Sequence, residues 1–589
     1  MTDIIVSTAA GHGGELIQSL AIGSGRFMRA VLVPFLSSSE KSKPAVFQTR
    51  GRSFVDSFAN QPAIDAPPLS YAVDTIQYDG AIITSDVEIY GAGTLGSSEG
   101  RQSLLTLASS MKSIEIIGVG VTEAGLASAD TQCMRDLTEL LYTIYKCPSI
   151  ECTNPNGRIC VGKRPGSITI FSPRARIHLY AATVNTDNVP NNGYVIRAHM
   201  LLNVRHSYSG EDDVGGFEKF IEERVSFLNS MVDRITSARP ESNGLVPLCE
   251  PLPAKALVLC DPGGDLPAWM SGSTDMQLRH GVKIRRSTNE LDCDIALKLR
   301  VANGTHTAIA HAMALSSLTN TESLTGKSTT SKLLMKYLDD LFTSQILPGA
   351  TCDGMSEEET NAAWKDWRQR LRHPHFGLST FFITQNGAAK CGIRLGPTIA
   401  SLISGDTDND DNPLNVSMAF AVAVILRFLT PTEEIGSDLP NVGSRMKGVY
   451  VGKLDKTDLV SEDSDVVYAD GLKFNLKQGW YEFRCDCSVS STETLPDALA
   501  KCDASQLQDL IKSYLLNSQG GNLQASVGGI PSDAKEIKLL DEFACAISAL
   551  YKRMINGEEV LTIVQEMASM QGPYGNGFNT PCNKLTTDE

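Results

Sequence analysis

The residues best suited to chemistry stand in one short stretch, Lys298-Leu-Arg-Val-Ala-Asn303-Gly-Thr-His306. On a helix, Asn303 and His306 are an i, i+3 pair on one face. Lys298 lies five residues before Asn303, about 1.4 turns away on an α-helix and near the same side. A lysine, an amide and an imidazole that converge on one spot can handle an alcohol. The lysine takes the hydroxyl proton, the amide donates to the developing alkoxide, and the imidazole fixes a neighbouring hydroxyl. Such a lysine needs a depressed pKa, which burial supplies. A solvated lysine beside two satisfied core polar groups fits the same spacing.

A second constellation is Gly23-Ser24-Gly25, after the apolar run Leu16 to Ile22 and before a helical stretch that begins near Phe27. Glycine here lets the backbone turn tightly and approach a pyrophosphate, which then sits at a helix N-terminus. A structural tight turn explains two glycines equally well, and Met28 stands where the usual fingerprint has its third. The next strand candidate, Ala45 to Gln48, ends in Gln48-Thr49-Arg50-Gly51-Arg52. An acid at this point binds the ribose hydroxyls of NAD. None is present, and Arg50 or Arg52 can meet a 2′-phosphate, so both NAD and NADP stay open. Two solvated loop arginines account for the sequence as well.

The elements that must position these residues change character along the chain. The 589 residues are too many for one core and suit two domains. Up to about residue 290, apolar strand candidates alternate with helical stretches: Ser113 to Gly118, Ile168 to Phe171, Ile177 to Val184 and Ala256 to Cys260. That pattern predicts an α/β domain over residues 1–290 with a largely parallel sheet. Residues 291–589 read as mainly helical, with apolar residues at helical spacing in Leu297 to Leu315, Ser331 to Ile346, Leu414 to Leu429, Leu507 to Leu516 and Ile537 to Met554. The stretch 431–531 reads as an insertion or added lobe, with a strand pair expected near Gly448 to Val451 and Trp480 to Arg484. The tail from Gly572 is polar.

The net charge of -16 disfavours nucleic acid and anionic membrane partners. No apolar run is long enough to span a bilayer, and Met1 to Ala10 lacks the plan of a signal peptide. The 14 cysteines lack framework spacing and read as thiols in a reducing, cytoplasmic setting. Neither Cys147, Cys152 and Cys160 nor Cys485 and Cys487 has the spacing of a zinc site.

The lysine, asparagine and histidine spacing resembles the polyol-specific long-chain dehydrogenase/reductase family, which includes mannitol dehydrogenases and hexuronate reductases. Further segments resemble its landmarks in family order. They are Ile22-Gly-Ser-Gly-Arg-Phe-Met-Arg29-Ala30, Val121-Thr-Glu-Ala-Gly125, Thr186 to Gly193, Val225 to Ile235 and Asn386 to Lys390 with Arg394 and Pro397.

The resemblance implies a Rossmann-type first domain, a helical second domain and an active site between them. It implies that Lys298 is the acid/base, that Asn303 with Asn192 holds the reacting oxygen, and that His306 positions the substrate. Asp233 and Lys390 would bind more distant hydroxyls. Gly23, Gly25, Arg26, Phe27, Arg50, Thr122 and Glu123 would contact NAD or NADP. It implies a monomer that needs no metal and turns over a mannitol-type polyol and its ketose, free or phosphorylated. A hexuronate reductase is the enzymatic alternative, and a non-catalytic binding protein on the same fold is the alternative of another class.

Other motifs carry weaker expectations. Thr325-Gly-Lys-Ser328 is half a phosphate loop without its leading glycine, and Asp406 to Asp410 begins like a calcium loop but lacks its glycine. His373 and His375 suggest a surface turn. Lys283, Arg285 and Arg286 suggest a basic surface loop or an anchor for an anionic end group.

Overall fold

The computed structural model describes residues 3–6, 19–39, 43–59, 69–111, 114–120, 128–146, 168–171, 192–211, 213–239, 245–316, 318–384, 390–405, 413–429, 466–469, 472–475, 504–516 and 533–569. The chain divides into two compact units, Met1–Ala182 with Thr186–Ile295, and Thr183–Asn185 with Ala296–Glu589.

The first unit is α/β. Its strands are β1 (Ile4–Val6), β2 (Ser19–Ile22), β3 (Ala45–Gln48), β4 (Leu69–Ile76), β5 (Ile82–Ile89), β6 (Gly91–Thr94), β7 (Ile116–Val119), β8 (Ile168–Phe171), β9 (Val225–Leu228), β10 (Ser230–Val232), β11 (Thr236–Ala238), β12 (Pro247–Cys249), β13 (Leu257–Cys260) and β14 (Val282–Arg285). The main sheet runs β1-β6-β3-β2-β7-β8-β9. All its pairings are parallel except β1 against β6. Counted in chain order, the parallel strands run 3-2-1-4-5-6, the doubly wound order whose switch point lies between β2 and β7.

Both faces of this sheet are covered, which explains strands that read as unbroken apolar runs. Successive residues of β2 enter opposite cores. Leu20 and Ile22 pack with the helices Gln132–Lys146 and Asn192–Ser207, while Ala21 packs with Met28 to Leu36.

The sheet is not the whole domain. β4 and β5 form a long antiparallel hairpin within a second sheet, β11-β12-β4-β5, and β10-β13-β14 make a third. The hairpin turn is built on Asp79-Gly80: Gly80 has φ +88, and the Asp79 carboxylate accepts the Ala81 N–H at 2.9 Å.

The described part of the second unit is almost wholly helical. Val416–Leu429 is apolar but for Ser417 and Arg427, and Ser417 to Phe428 are buried, packing against Thr305–Leu315 and Ala534–Ile555. A helix apolar on every side belongs inside a bundle. Within residues 431–531 the structure describes the hairpin Val466–Ala469 with Leu472–Asn475 and the helix Ala504–Leu516. The strand pair expected near Gly448 and Trp480, the strand at Ile177 to Val184, the acidic loop at Asp406 and the tail from Gly572 lie outside the described residues.

Among the described residues no helix is long and apolar enough to cross a membrane. Cys133, Cys249, Cys260, Cys293, Cys352 and Cys391 are thiols. Cys545 is disulfide-bonded, which corrects the expectation that every cysteine is a thiol.

Candidate functional site

The end of β2 forms a cradle at the switch point. Gly23 adopts φ +111, and a Cβ there would lie 2.1 Å from the Gly120 carbonyl oxygen. Only glycine tolerates both conditions. The Gly23 N–H donates to the Phe47 carbonyl and the Gly120 N–H to the Ile22 carbonyl, each at 2.7 Å. The C-terminal ends of β2, β3 and β7 are thus laced together. A helical run follows at once, with Arg26 exposed and Phe27 buried. Bare backbone followed by a helix start fits a dinucleotide pyrophosphate.

The missing third glycine has a physical explanation. Met28 is fully buried, and room for it comes from the neighbouring strand. A Cβ at Gly120 would meet Met28 Cε at 2.5 Å, and one at Gly118 would meet Leu32 Cδ2 at 2.6 Å. The glycines needed for close helix–strand packing have moved from the helix to β7 and its end.

Arg29 braces the loop from behind. Its Nε donates to the Ser24 carbonyl at 2.8 Å, and its guanidinium also reaches the Leu245 carbonyl. The Tyr71 hydroxyl donates to the Arg29 carbonyl at 2.8 Å. Burial pushes this phenol well above its usual range, so it remains a neutral donor.

At the end of β3 the two arginines part. Arg50 is exposed. Arg52 forms ion pairs with Asp3 and, at 3.4 Å, with Asp56. Thr122 and Glu123 lie outside the described residues.

Asn192 and Asp233 also belong to the first unit. Asn192 opens the helix Asn192–Ser207 and is buried. Its amide nitrogen donates to the Ser230 carbonyl at 2.9 Å and to the Ser230 hydroxyl at 3.0 Å. Its oxygen accepts the Ser230 N–H at 3.0 Å. In this geometry the amide fastens the start of the helix to β10. Asn229 assists by accepting the Gly193 N–H at 2.9 Å. A Cβ at Gly193 would sit 2.7 Å from the Leu228 backbone, so glycine is sterically required there. Asp233 follows β10, half-buried, and its N–H donates to the Ala256 carbonyl at 3.0 Å. The adjacent Arg234 donates to the Ala30 carbonyl at 2.7 Å, in the helical run after Gly25. Sequence reasoning missed Asn229 and Ser230, although both stand inside the Val225 to Ile235 segment.

In the second unit, Lys298–Gly304 is a π-helix that leads into the α-helix Thr305–Leu315. This corrects the α-helical geometry assumed from spacing. A π-helix closes its hydrogen bonds across five residues, which is the step from Lys298 to Asn303. The two therefore stand on successive turns of one face rather than about 1.4 turns apart. From Arg300 to Leu315 every residue is buried except Asn303 and His306, which are half-buried like Lys298. The three candidates and Leu299 are the half-buried positions of a segment that is otherwise buried from Lys298 to Leu315. Such π segments recur at functional sites.

Packing holds this segment in place. The π-helix Cys391–Leu395 lies against it. A Cβ at Gly304 would come within 3.3 Å of the Arg394 carbonyl oxygen. The Thr305 hydroxyl donates to the Val301 carbonyl at 2.6 Å and accepts the Trp367 indole N–H at 3.1 Å. The Trp367 ring meets the His306 ring edge to face at 5.3 Å and 67°. Arg300 ties the same segment to the Gly349 carbonyl at 3.0 Å and to Asp353. Trp367 was not singled out from sequence, although tryptophan is scarce here, with 4 in the chain.

Lys390 stands at the N-cap of the π-helix Cys391–Leu395 and is buried, its Nζ donating to the Ile383 carbonyl at 2.6 Å. Arg394 donates to the Thr307 hydroxyl at 2.6 Å. His311 Nδ1 lies 2.7 Å from the Thr307 carbonyl. Burial, aided by the charges of Lys390 and Arg394, brings its pKa down to about 3.

Three weaker expectations are resolved. Ser328 of the half phosphate loop caps the helix Thr329–Leu341, accepting the Ser331 N–H at 3.1 Å. Lys283 and Arg285 lie on β14 rather than in a loop, and the two arginines are committed to acids: Arg285 to Asp294 at 2.7 Å and Arg286 to Asp261 at 2.8 Å. His373 is buried, accepting the His375 N–H at 3.2 Å, so only Pro374 and His375 form an exposed turn. Among the described residues no cluster of histidine, cysteine and acidic side chains could hold a metal ion.

No family model and no curated protein matches this sequence. Solved structures do match in fold. One is D-sorbitol dehydrogenase in substrate-free form, at a TM-score of 0.52 and 16% identity over 87% of this chain and 95% of that one. Another is Pseudomonas fluorescens mannitol 2-dehydrogenase in a ternary complex with NAD and D-mannitol, at 0.52 and 16% over 94% of this chain and 95% of that one. The chain thus has a Rossmann-type α/β domain followed by a helical part, the fold of these two polyol dehydrogenases, whose family its motifs resemble.

Proposed function

We propose that the chain is an NAD(P)-dependent dehydrogenase that interconverts a polyol and its ketose. The observation that carries this reading is the π-helical Lys298–Gly304 segment, which sets Lys298, Asn303 and His306 at half-buried positions of an otherwise buried stretch. The dinucleotide, seated on the Gly23 cradle, supplies the redox partner for the carbon bearing the alcohol.

The protein groups do the rest. Lys298 Nζ takes the hydroxyl proton during oxidation and returns it to the ketone oxygen during reduction. Asn303 offers an amide N–H to the oxygen as charge develops on it. His306, held by Trp367, fixes the adjacent hydroxyl. Asn192 fastens the start of its helix to β10. The resemblance points to a mannitol-type substrate.

The test is a panel of fructose, fructose 6-phosphate, fructuronate and tagaturonate with NADH and NADPH. One ketose turns over, and Lys298→Ala lowers kcat by about 100-fold or more while still binding dinucleotide. Turnover of a hexuronate moves the assignment to that branch. No turnover and no dinucleotide binding leaves a binding protein on the same fold.

A further inference from the structure

We infer that this chain selects the 2′-phosphorylated dinucleotide, NADP(H), through Arg50 on the loop after β3. The inference rests on the dehydrogenase reading of the cradle. In a doubly wound sheet the end of the second parallel strand meets the adenosine ribose. An acid there accepts from the ribose 2′-hydroxyl, and a guanidinium there receives a 2′-phosphate. In this chain the second parallel strand is β3, and its end is Gln48-Thr49-Arg50-Gly51-Arg52.

Among the described residues, the two carboxylates paired with the loop are already engaged. Asp3 pairs with Arg52 and accepts the Ser97 hydroxyl at 2.7 Å, and Asp56 pairs with Arg52 at 3.4 Å. Arg52 is therefore a brace, and the acids it holds are neutralised rather than offered to a ribose.

The rest of the loop is pinned as well. The Gln48 side chain accepts the Phe54 N–H at 2.9 Å. Gly51 takes φ +69, and its carbonyl accepts the Thr94 hydroxyl at 2.7 Å. The Leu95 N–H donates to the Gln48 carbonyl at 2.7 Å. Between these fixed points Arg50 alone presents an exposed charge, with no ion pair among the described residues. A guanidinium matches a phosphate by two parallel hydrogen bonds, a geometry that lysine or a hydroxyl cannot copy. On a surface of net charge -16, non-specific attraction for anions is weak, so this local contact decides.

The experiment uses the full chain and two probes that lack nicotinamide, adenosine 2′,5′-bisphosphate and 5′-AMP, titrated by calorimetry. The bisphosphate binds about 10- to 100-fold more tightly, the range of one or two charge-assisted hydrogen bonds. Arg50→Ala collapses that ratio toward one, and Arg50→Lys keeps part of it. Because Arg50 is exposed, both variants are expected to fold, and circular dichroism checks this. Equal binding of the two probes, or a ratio that survives Arg50→Ala, overturns the NADP assignment and leaves the dinucleotide cradle standing. Failure of both probes to bind overturns the cradle itself, and this inference with it.

Discussion

Lowering the pH should unfold this protein partly through one residue, His311. The imidazole is fully buried, with Nδ1 on the Thr307 carbonyl, its ring edge to face with Phe428 at 5.3 Å, and Lys390 and Arg394 near enough to repel a proton. Its folded pKa falls from 6.5 to about 3, so below pH 6.5 the unfolded chain takes up a proton that the folded chain refuses. The contribution is therefore whole above pH 6.5 and is lost as the pH falls. The loss approaches about 1.4 kcal/mol per pH unit until the folded state protonates too, which amounts to about 2 kcal/mol at pH 5. Other groups contribute their own slopes, so the informative quantity is a difference. Urea denaturation of the wild type and of His311→Leu would be followed from pH 7.5 to 4.5. The variant loses stability at every pH, and the gap between the curves narrows by about 2 kcal/mol from pH 7.5 to 5. Parallel curves would show that His311 is not held neutral and would refute the reasoning.

Two substitutions probe the site elements. Gly23→Ala forces a methyl group against the Gly120 carbonyl at a left-handed φ. It should lower stability by more than about 1–2 kcal/mol and weaken dinucleotide binding, and an unchanged melting temperature would remove the steric claim. Trp367→Phe deletes the indole donor to Thr305 and should cost about 0.5–1.5 kcal/mol. Trp367→Ala also strips the wall beside His306 and should cost about 3–5 kcal/mol with a further drop in turnover. If the two variants behave alike, Trp367 does not position His306.

Much of the first unit was legible because parallel strands buried on both faces announce themselves. Ala45–Gln48 and Ile168–Phe171 appear as apolar runs with turn signals around them. The β4–β5 hairpin was missed although it carried a signal: Asp79-Gly80 lies between stretches in which the alternate residues Tyr71 and Val73, and Val87 and Ile89, are buried, although Asp74 and Ile76 are buried too. The helices of the second unit were readable from their period, yet the π segments were not. An i→i+5 register leaves no periodic trace over five to seven residues, so the relation between Lys298 and Asn303 emerged only in three dimensions. Met28 was unreadable for a different reason. The glycines that make room for it, Gly118 and Gly120, lie about ninety residues away in sequence.

The π-helical stretch also bears on how this site can vary. A π turn holds more residues than an α turn, and it can be regarded as an α-helix that has absorbed an insertion. Removing one residue between Lys298 and Asn303 would let the stretch relax to an α-helix, in which neighbours on one face are four apart. The lysine and the amide would still stack, now written as Lys-x-x-x-Asn. The five-residue spacing is thus one of two spellings of the same layout, and a short insertion or deletion in this helix edits its winding while leaving the pair side by side.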